Sequence, residues 1–117
     1  MGNMMAKPND WRNNHRFNLQ LPIHFRVSLR CETSRWASGV TCDMGSTEVT
    51  FRCRKALPVG AHIEMAIEWP ERQDSYPMEL LATGFVVSSS ATKAVVNMTA
   101  HRFRVELDPA SPMGAIA

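Results

Sequence analysis

Hydrophobic and polar residues alternate along much of this chain. Between residues 19 and 31 the odd positions are Leu19, Leu21, Ile23, Phe25, Val27, Leu29 and Cys31. The even positions Gln20, His24, Arg26, Ser28 and Arg30 are polar, and Pro22 is the one interruption. A repeat of two marks a strand with one face in a core and the other in water. Pro22 has no amide hydrogen to give to a ladder, so it belongs at the strand's start or on an edge.

The same pattern predicts five more strands. Residues 37–43 set Val40 and Cys42 two apart. Residues 49–54 put Val49, Phe51 and Cys53 on one face and Thr50, Arg52 and Arg54 on the other. Residues 63–69 alternate Ile63, Met65, Ile67 and Trp69 with Glu64, Ala66 and Glu68. Residues 78–88 are apolar on both faces, as suits a strand inside a closed sheet. Residues 93–107 begin with apolar even positions, Ala94, Val96, Met98 and Ala100, then change to Phe103, Val105 and Leu107. A change of phase within one strand predicts a bulge, here near residues 100–102. Turn chemistry separates the runs: residues 33–38, residues 43–46, the Leu57-Pro58-Val59-Gly60 corner, the polar loop 70–77 and the serines 88–90. Six short strands without a helical period predict an all-β fold, a small six-stranded antiparallel barrel. The barrel is expected over residues 11–108, after a flexible leader at 1–10 and before a loose tail at 109–117.

Composition narrows the function more than the fold. The chain has 117 residues, 44% hydrophobic and 21% charged, which suits one globular domain. The net charge of +2 is too small to mark a general nucleic-acid binder. The charge is uneven, though: residues 1–60 carry nine Lys or Arg against four acids, and residues 61–117 four against seven. That asymmetry points to an anionic partner for the first half. Arg52, Arg54 and Lys55 form a basic run that reads as a wet strand face or as a patch facing a phosphate or a partner. Cys31, Cys42 and Cys53 make neither a disulfide framework nor a zinc spacing. Buried or half-buried thiols in a reducing cytoplasm are expected. The most apolar window, residues 78–87, is about half the length of a membrane helix, so no membrane partner is expected. His15, His24, His62 and His101 are scattered and suggest no metal site. No nucleophile stands beside a base and no glycine loop cradles phosphate, so the chain reads as a non-enzyme without a cofactor.

One constellation carries chemistry. Arg12 and Arg16 stand four apart just before the first strand, with Trp11 beside them. Some thirty residues on, a turn reads Asp43-Met44-Gly45-Ser46-Thr47-Glu48. An R-x-x-x-R element followed by an acidic turn resembles the PilZ domain family. The resemblance extends through Leu57-Pro58-Val59-Gly60, the run Ile63 to Pro70, Gly84-Phe85-Val86-Val87, and Ala94-Val95-Val96 with Phe103, and covers roughly residues 11–107.

The resemblance implies a split six-stranded barrel that binds cyclic di-GMP, a bacterial second messenger. It assigns ligand contact to Arg12, Arg16, Asp43, Gly45 and Ser46. The chemistry suits those residue types. The ligand carries two ionised phosphodiesters and two guanines, and an Arg fork matches guanine O6 and N7 or a phosphate with paired hydrogen bonds. Asp43 would accept from the guanine N1–H and N2–H₂ edge. Ordering of the leader on binding would signal occupancy to a protein partner. The family's turn is (D/N)-x-S-x-x-G, and here Gly45 takes the Ser position, Ser46 comes one step late and Glu48 takes the Gly position. A missing hydroxyl removes a hydrogen bond worth about 0.5–1.5 kcal/mol. Glu48 adds a negative charge, and a Cβ where glycine permits positive φ. Those departures suit an alternative, a barrel that binds no nucleotide and serves protein interaction. A small nucleic-acid-binding barrel is a third reading, weakened by the modest charge and the absence of clustered aromatics on one strand face.

Overall fold

The computed structural model describes residues 17–73 and 76–105. Its strands are β1 (Pro22–Leu29), β2 (Glu32–Thr33), β3 (Ala37–Met44), β4 (Glu48–Arg52), β5 (His62–Gln73), β6 (Tyr76–Ser89) and β7 (Lys93–Val105). Every pairing is antiparallel. The sheet runs β2-β1-β3-β4-β7-β6-β5, and β5 returns to pair with β1. β1, β3, β4, β7, β6 and β5 thus close a six-stranded barrel, as the pattern predicts, with β2 as an extra strand at the end of β1. No helix occurs among the described residues, and so none long and apolar enough to cross a membrane. The leader at 1–10 and the tail at 109–117 lie outside the described residues.

The alternating faces fill the barrel. Ile23, Phe25 and Val27 of β1, Val49 and Phe51 of β4, Ile63, Met65, Ile67 and Trp69 of β5, and Val96 and Met98 of β7 are all buried. Phe25 and Phe51 meet at 4.8 Å between ring centroids across the interior. Each such aliphatic or aromatic side chain contributes about 1.5–3 kcal/mol by leaving water. Pro22 opens β1, where its missing N–H costs no ladder bond.

The structure departs from the pattern in particular places. In β3 the inward residue is Thr41, 1% exposed, while Val40 is 43% exposed. Thr41 stays inside because its hydroxyl is satisfied there: it donates to the Leu19 carbonyl and accepts from the Leu21 amide. β6 is not buried on both faces: Leu80, Ala82 and Val86 point inward, and Phe85 and Val87 are exposed. The polar stretch 70–77 is mostly strand, with Pro70 inside a register shift between Trp69 and Arg72 that tolerates its missing donor. The phase change in β7 falls at Thr99, since Thr83 pairs with Ala100 and Gly84 with Met98.

The region between β1 and β3 holds a hairpin that the alternation hid. Ser28 pairs with Thr33 and Leu29 with Glu32, so Arg30 and Cys31 form a two-residue turn. Both have positive φ, 52° and 72°. Two-residue hairpins need left-handed backbone, and Asn-Gly supplies it at little cost. An Arg and a Cys there cost about 1–2 kcal/mol each. The double substitution Arg30→Asn/Cys31→Gly is therefore expected to raise the unfolding free energy by about 1–2 kcal/mol. Urea denaturation measures this, and an unchanged or lower midpoint contradicts it.

Candidate functional site

The acidic turn joins β3 to β4 at one end of the barrel. A bulge shapes it: Thr41 pairs with Phe51 and Asp43 with Thr50, leaving Cys42 as the extra residue. Were Cys42 paired in regular alternation instead of bulged, Asp43 would share the inward face of Thr41. With the bulge, Met44 takes the inward position, fully buried, and Asp43 turns to the outer face, half-buried. An ionised carboxylate is thereby kept out of the apolar interior, where it would be costly. The Gly45 amide donates to the Glu48 carbonyl at 2.8 Å and closes the turn, and the Met98 amide donates to the Thr47 carbonyl at 2.7 Å and ties the turn to β7.

The backbone of this turn is unstrained. Among the described residues only Arg30, Cys31 and Gly60 have positive φ. Glu48 is the first residue of β4, so its Cβ carries no backbone penalty, contrary to what a lost glycine implies. What remains of the departure is the missing hydroxyl at Gly45 and an electrostatic change: Asp43 and Glu48 put two carboxylates on one short turn. Ser46 is half-buried in the middle of the turn.

Arg12 and Arg16 lie outside the described residues. The chain just after them is described. Phe17 makes a two-way backbone bridge with Met44: its amide donates to the Met44 carbonyl at 2.7 Å, and the Met44 amide donates to its carbonyl at 2.9 Å. The Thr41 amide donates to the Leu21 carbonyl at 2.9 Å, so residues 17–21 run antiparallel to β3, starting beside the Asp43 turn at Phe17 and leaving it toward β1. One peptide bond separates Arg16 from Phe17, and one separates Met44 from Asp43.

Two concave surfaces accompany this turn. A groove of about 820 Å³ lies on the outer face of β1, β5, β6 and β7. Most of its charges are matched internally: Arg26 pairs with Glu64 at 2.7 Å, Arg104 pairs with Glu79, and the Arg26 guanidinium lies 4.7 Å from the Trp36 ring centre, while Arg102 also lines the groove. Half-buried surface pairs of this kind contribute about 1 kcal/mol or less, and they neutralise four of the groove's five formal charges. A second cleft, about 1410 Å³, opens at the other end of the barrel, where the β1–β2 hairpin faces the connection from β4 to β5. Leu29, Trp36 and Leu57 line it, with Arg30, Arg35, Arg54 and Lys55 and one acid, Glu32.

The cysteines differ among themselves. Cys42 is half-buried and Cys53 buried, as expected, but Cys31 is exposed because it sits in the hairpin turn rather than in β1. Burial pushes the Cys53 thiol above its ordinary value of 9.0. A group protonated more firmly in the folded state adds stability that is complete below its unfolded pKa. That stability is lost as pH rises past 9.0 and through the raised value. Folding stability is thus expected to fall with rising pH above about 9, and Cys53→Ala to remove that part of the slope. Iodoacetamide at neutral pH is expected to alkylate Cys31 about tenfold faster than Cys53; equal labelling contradicts the assignment. No group of three metal-ligating side chains occurs among the described residues.

Comparison of the chain with models of protein families, with curated proteins and with solved structures gave no match.

Proposed function

We propose that this chain is a receptor for cyclic di-GMP, a PilZ-like barrel that relays occupancy of the messenger to a partner protein. The observation that carries the reading is the Phe17–Met44 bridge. It links the segment that follows the R-x-x-x-R element to the strand that presents Asp43. Two guanidinium groups and a carboxylate are complementary to a cyclic dinucleotide. The cations offset its two phosphates and read guanine O6 and N7. The carboxylate accepts from the opposite guanine edge, where N–H donors stand. Neither two carboxylates without the arginines nor two arginines without an acceptor has that match. The expected response involves no bond making in the protein, and no catalytic role is proposed.

Isothermal titration of the full chain with cyclic di-GMP tests the reading. Saturable binding of one or two dinucleotides per chain is expected, with an affinity that weakens as salt rises. An absence of heat up to about 100 µM ligand overturns it. The alternative, an interaction barrel without nucleotide, draws on Gly45 and Glu48. Glu48→Gly separates the two. The backbone at 48 needs no glycine, so the substitution acts through the carboxylate it removes. In a receptor it is expected to tighten binding by about tenfold at low salt; in a ligand-free module it changes nothing.

A further inference from the structure

We propose that the cleft at the β2 end of the barrel docks an extended acidic peptide of a partner protein. Its rim is cationic and unmatched. Arg30, Arg35, Arg54 and Lys55 stand around it with the single acid Glu32, and none of the four has an ion pair among the described residues. The outer-face groove shows the contrast, since two of its three arginines, Arg26 and Arg104, are each held by a glutamate. Like charges gathered on one cleft repel, and an anionic partner relieves that repulsion and is steered toward it. The basic run noted in the sequence, Arg54 and Lys55, thus meets the cations of the hairpin across a concave surface.

The floor is apolar. Leu29 and Trp36 are 40% and 50% exposed, beside the partly buried Leu57. In an extended peptide alternate side chains point to opposite sides. A segment alternating carboxylates with aliphatic residues would set its aliphatic side chains on this floor and its carboxylates toward the rim. The strand edge suits the same occupant. Pairing of β3 with β4 begins at Val40, so Ala37 and Ser38, which line the cleft, have no β4 partner and leave room for backbone pairing with an added strand. The hairpin supplies a separate reason. It holds Arg30 in left-handed backbone that Asn-Gly would adopt without strain. Such strain is retained where a side chain is needed at that place. A nucleic acid fits less well, because the cleft exposes one aromatic ring for stacking and otherwise aliphatic side chains. Ala37 and Asp43 lie at opposite ends of β3, so the proposal stands independently of the nucleotide reading.

The test is fluorescence anisotropy of a fluorescein-labelled heptapeptide alternating glutamate and valine, titrated with the full chain. Binding on the order of 100 µM or tighter at low salt is expected. Arg54→Glu with Lys55→Glu should weaken it by about tenfold or more. Arg30→Asn/Cys31→Gly should weaken it severalfold while raising the urea midpoint, so that loss of binding is not loss of fold. A lysine–valine heptapeptide should not bind, and a glutamate–serine heptapeptide should bind about tenfold less tightly. The proposal is overturned by no binding at about 1 mM, by equal binding to the charge-reversed variant, or by a deoxythymidine decamer binding more tightly than the peptide.

Discussion

Replacing Gly84 with alanine is expected to remove about 3 kcal/mol of folding stability, the largest single loss in the barrel for the smallest added group. A Cβ at Gly84 would stand 2.0 Å from the Asn97 carbonyl oxygen and 2.9 Å from the Met98 Cα. Both are backbone atoms, so no rotamer change relieves the clash. β7 would have to move away from β6, at the point where the looped-out Thr99 already bends the sheet. That movement would stretch ladder bonds of the most extensive strand pair in the barrel. Gly60 gives the internal comparison. It has φ of 92° and nothing within 4 Å of its would-be Cβ, so Gly60→Ala carries backbone strain alone, about 1–2 kcal/mol. Gly39, whose Cβ would meet the Arg52 carbonyl oxygen at 2.2 Å, belongs with Gly84. Urea melts followed by tryptophan fluorescence should therefore rank Gly84→Ala and Gly39→Ala well below Gly60→Ala, with the thermal midpoint of the first falling by about 10 °C or more. Domains are stable by only about 5–15 kcal/mol, so a partly unfolded Gly84 variant at 37 °C is within the expected range. A loss no larger than that of Gly60→Ala would show that β7 can shift freely.

β1 and β5 have clean alternation because each has one wet face, and a period of two survives in the residues themselves. Phe51 and Val49 were legible in β4 for the same reason. Closure of the barrel was legible only as a count of strands; the β1–β5 pairing itself depends on contacts far apart in the chain. Bulges were harder. Thr99 and Cys42 each add one residue to one strand, and the face assignments beyond them reverse. The apolar Val40 and Cys42 looked like the inward pair of β3. Thr41 displaced them because a hydroxyl with two backbone partners is stable inside, and no periodicity records those partners. The Arg30–Cys31 turn was invisible for the opposite reason: neither residue is a turn former, and the apolar positions Leu29 and Cys31 continued the strand pattern across it. The candidate site was legible as residue types in order, Arg12, Arg16 and then Asp43. The outward aim of Asp43 and the Phe17–Met44 bridge depend on the bulge and on hydrogen bonds that only the fold supplies.

Under the receptor reading, Arg16→Ala is expected to weaken cyclic di-GMP binding by about two orders of magnitude, and Arg12→Ala by about one. A hydrogen bond between charged groups contributes about 1.5–3 kcal/mol, and 1.4 kcal/mol is a factor of ten. The asymmetry follows from the chain. Arg16 immediately precedes Phe17, whose amide and carbonyl are both bound to Met44. Phe17 is therefore fixed beside the Asp43 turn, and a guanidinium one residue away in the chain has the shorter span to order when it takes a phosphate or a guanine. Arg12 is five residues from Phe17 and must give up more chain entropy to reach the same ligand. Arg16→Lys tests the fork itself. Lysine keeps the charge and loses the paired planar donors, so binding should recover only in part. Arg102→Ala, which removes a cation from the outer-face groove instead, should leave the affinity within about twofold, because screened charges at a distance add little. Asp43→Asn should weaken binding about tenfold, since the amide oxygen is a poorer acceptor than the carboxylate for guanine N–H groups. If Arg16→Ala and Arg102→Ala lose affinity equally, the messenger is held by general charge rather than by this turn. If Arg12→Ala and Arg16→Ala both bind as the parent chain does, the R-x-x-x-R element is not the clasp and the receptor assignment falls with it.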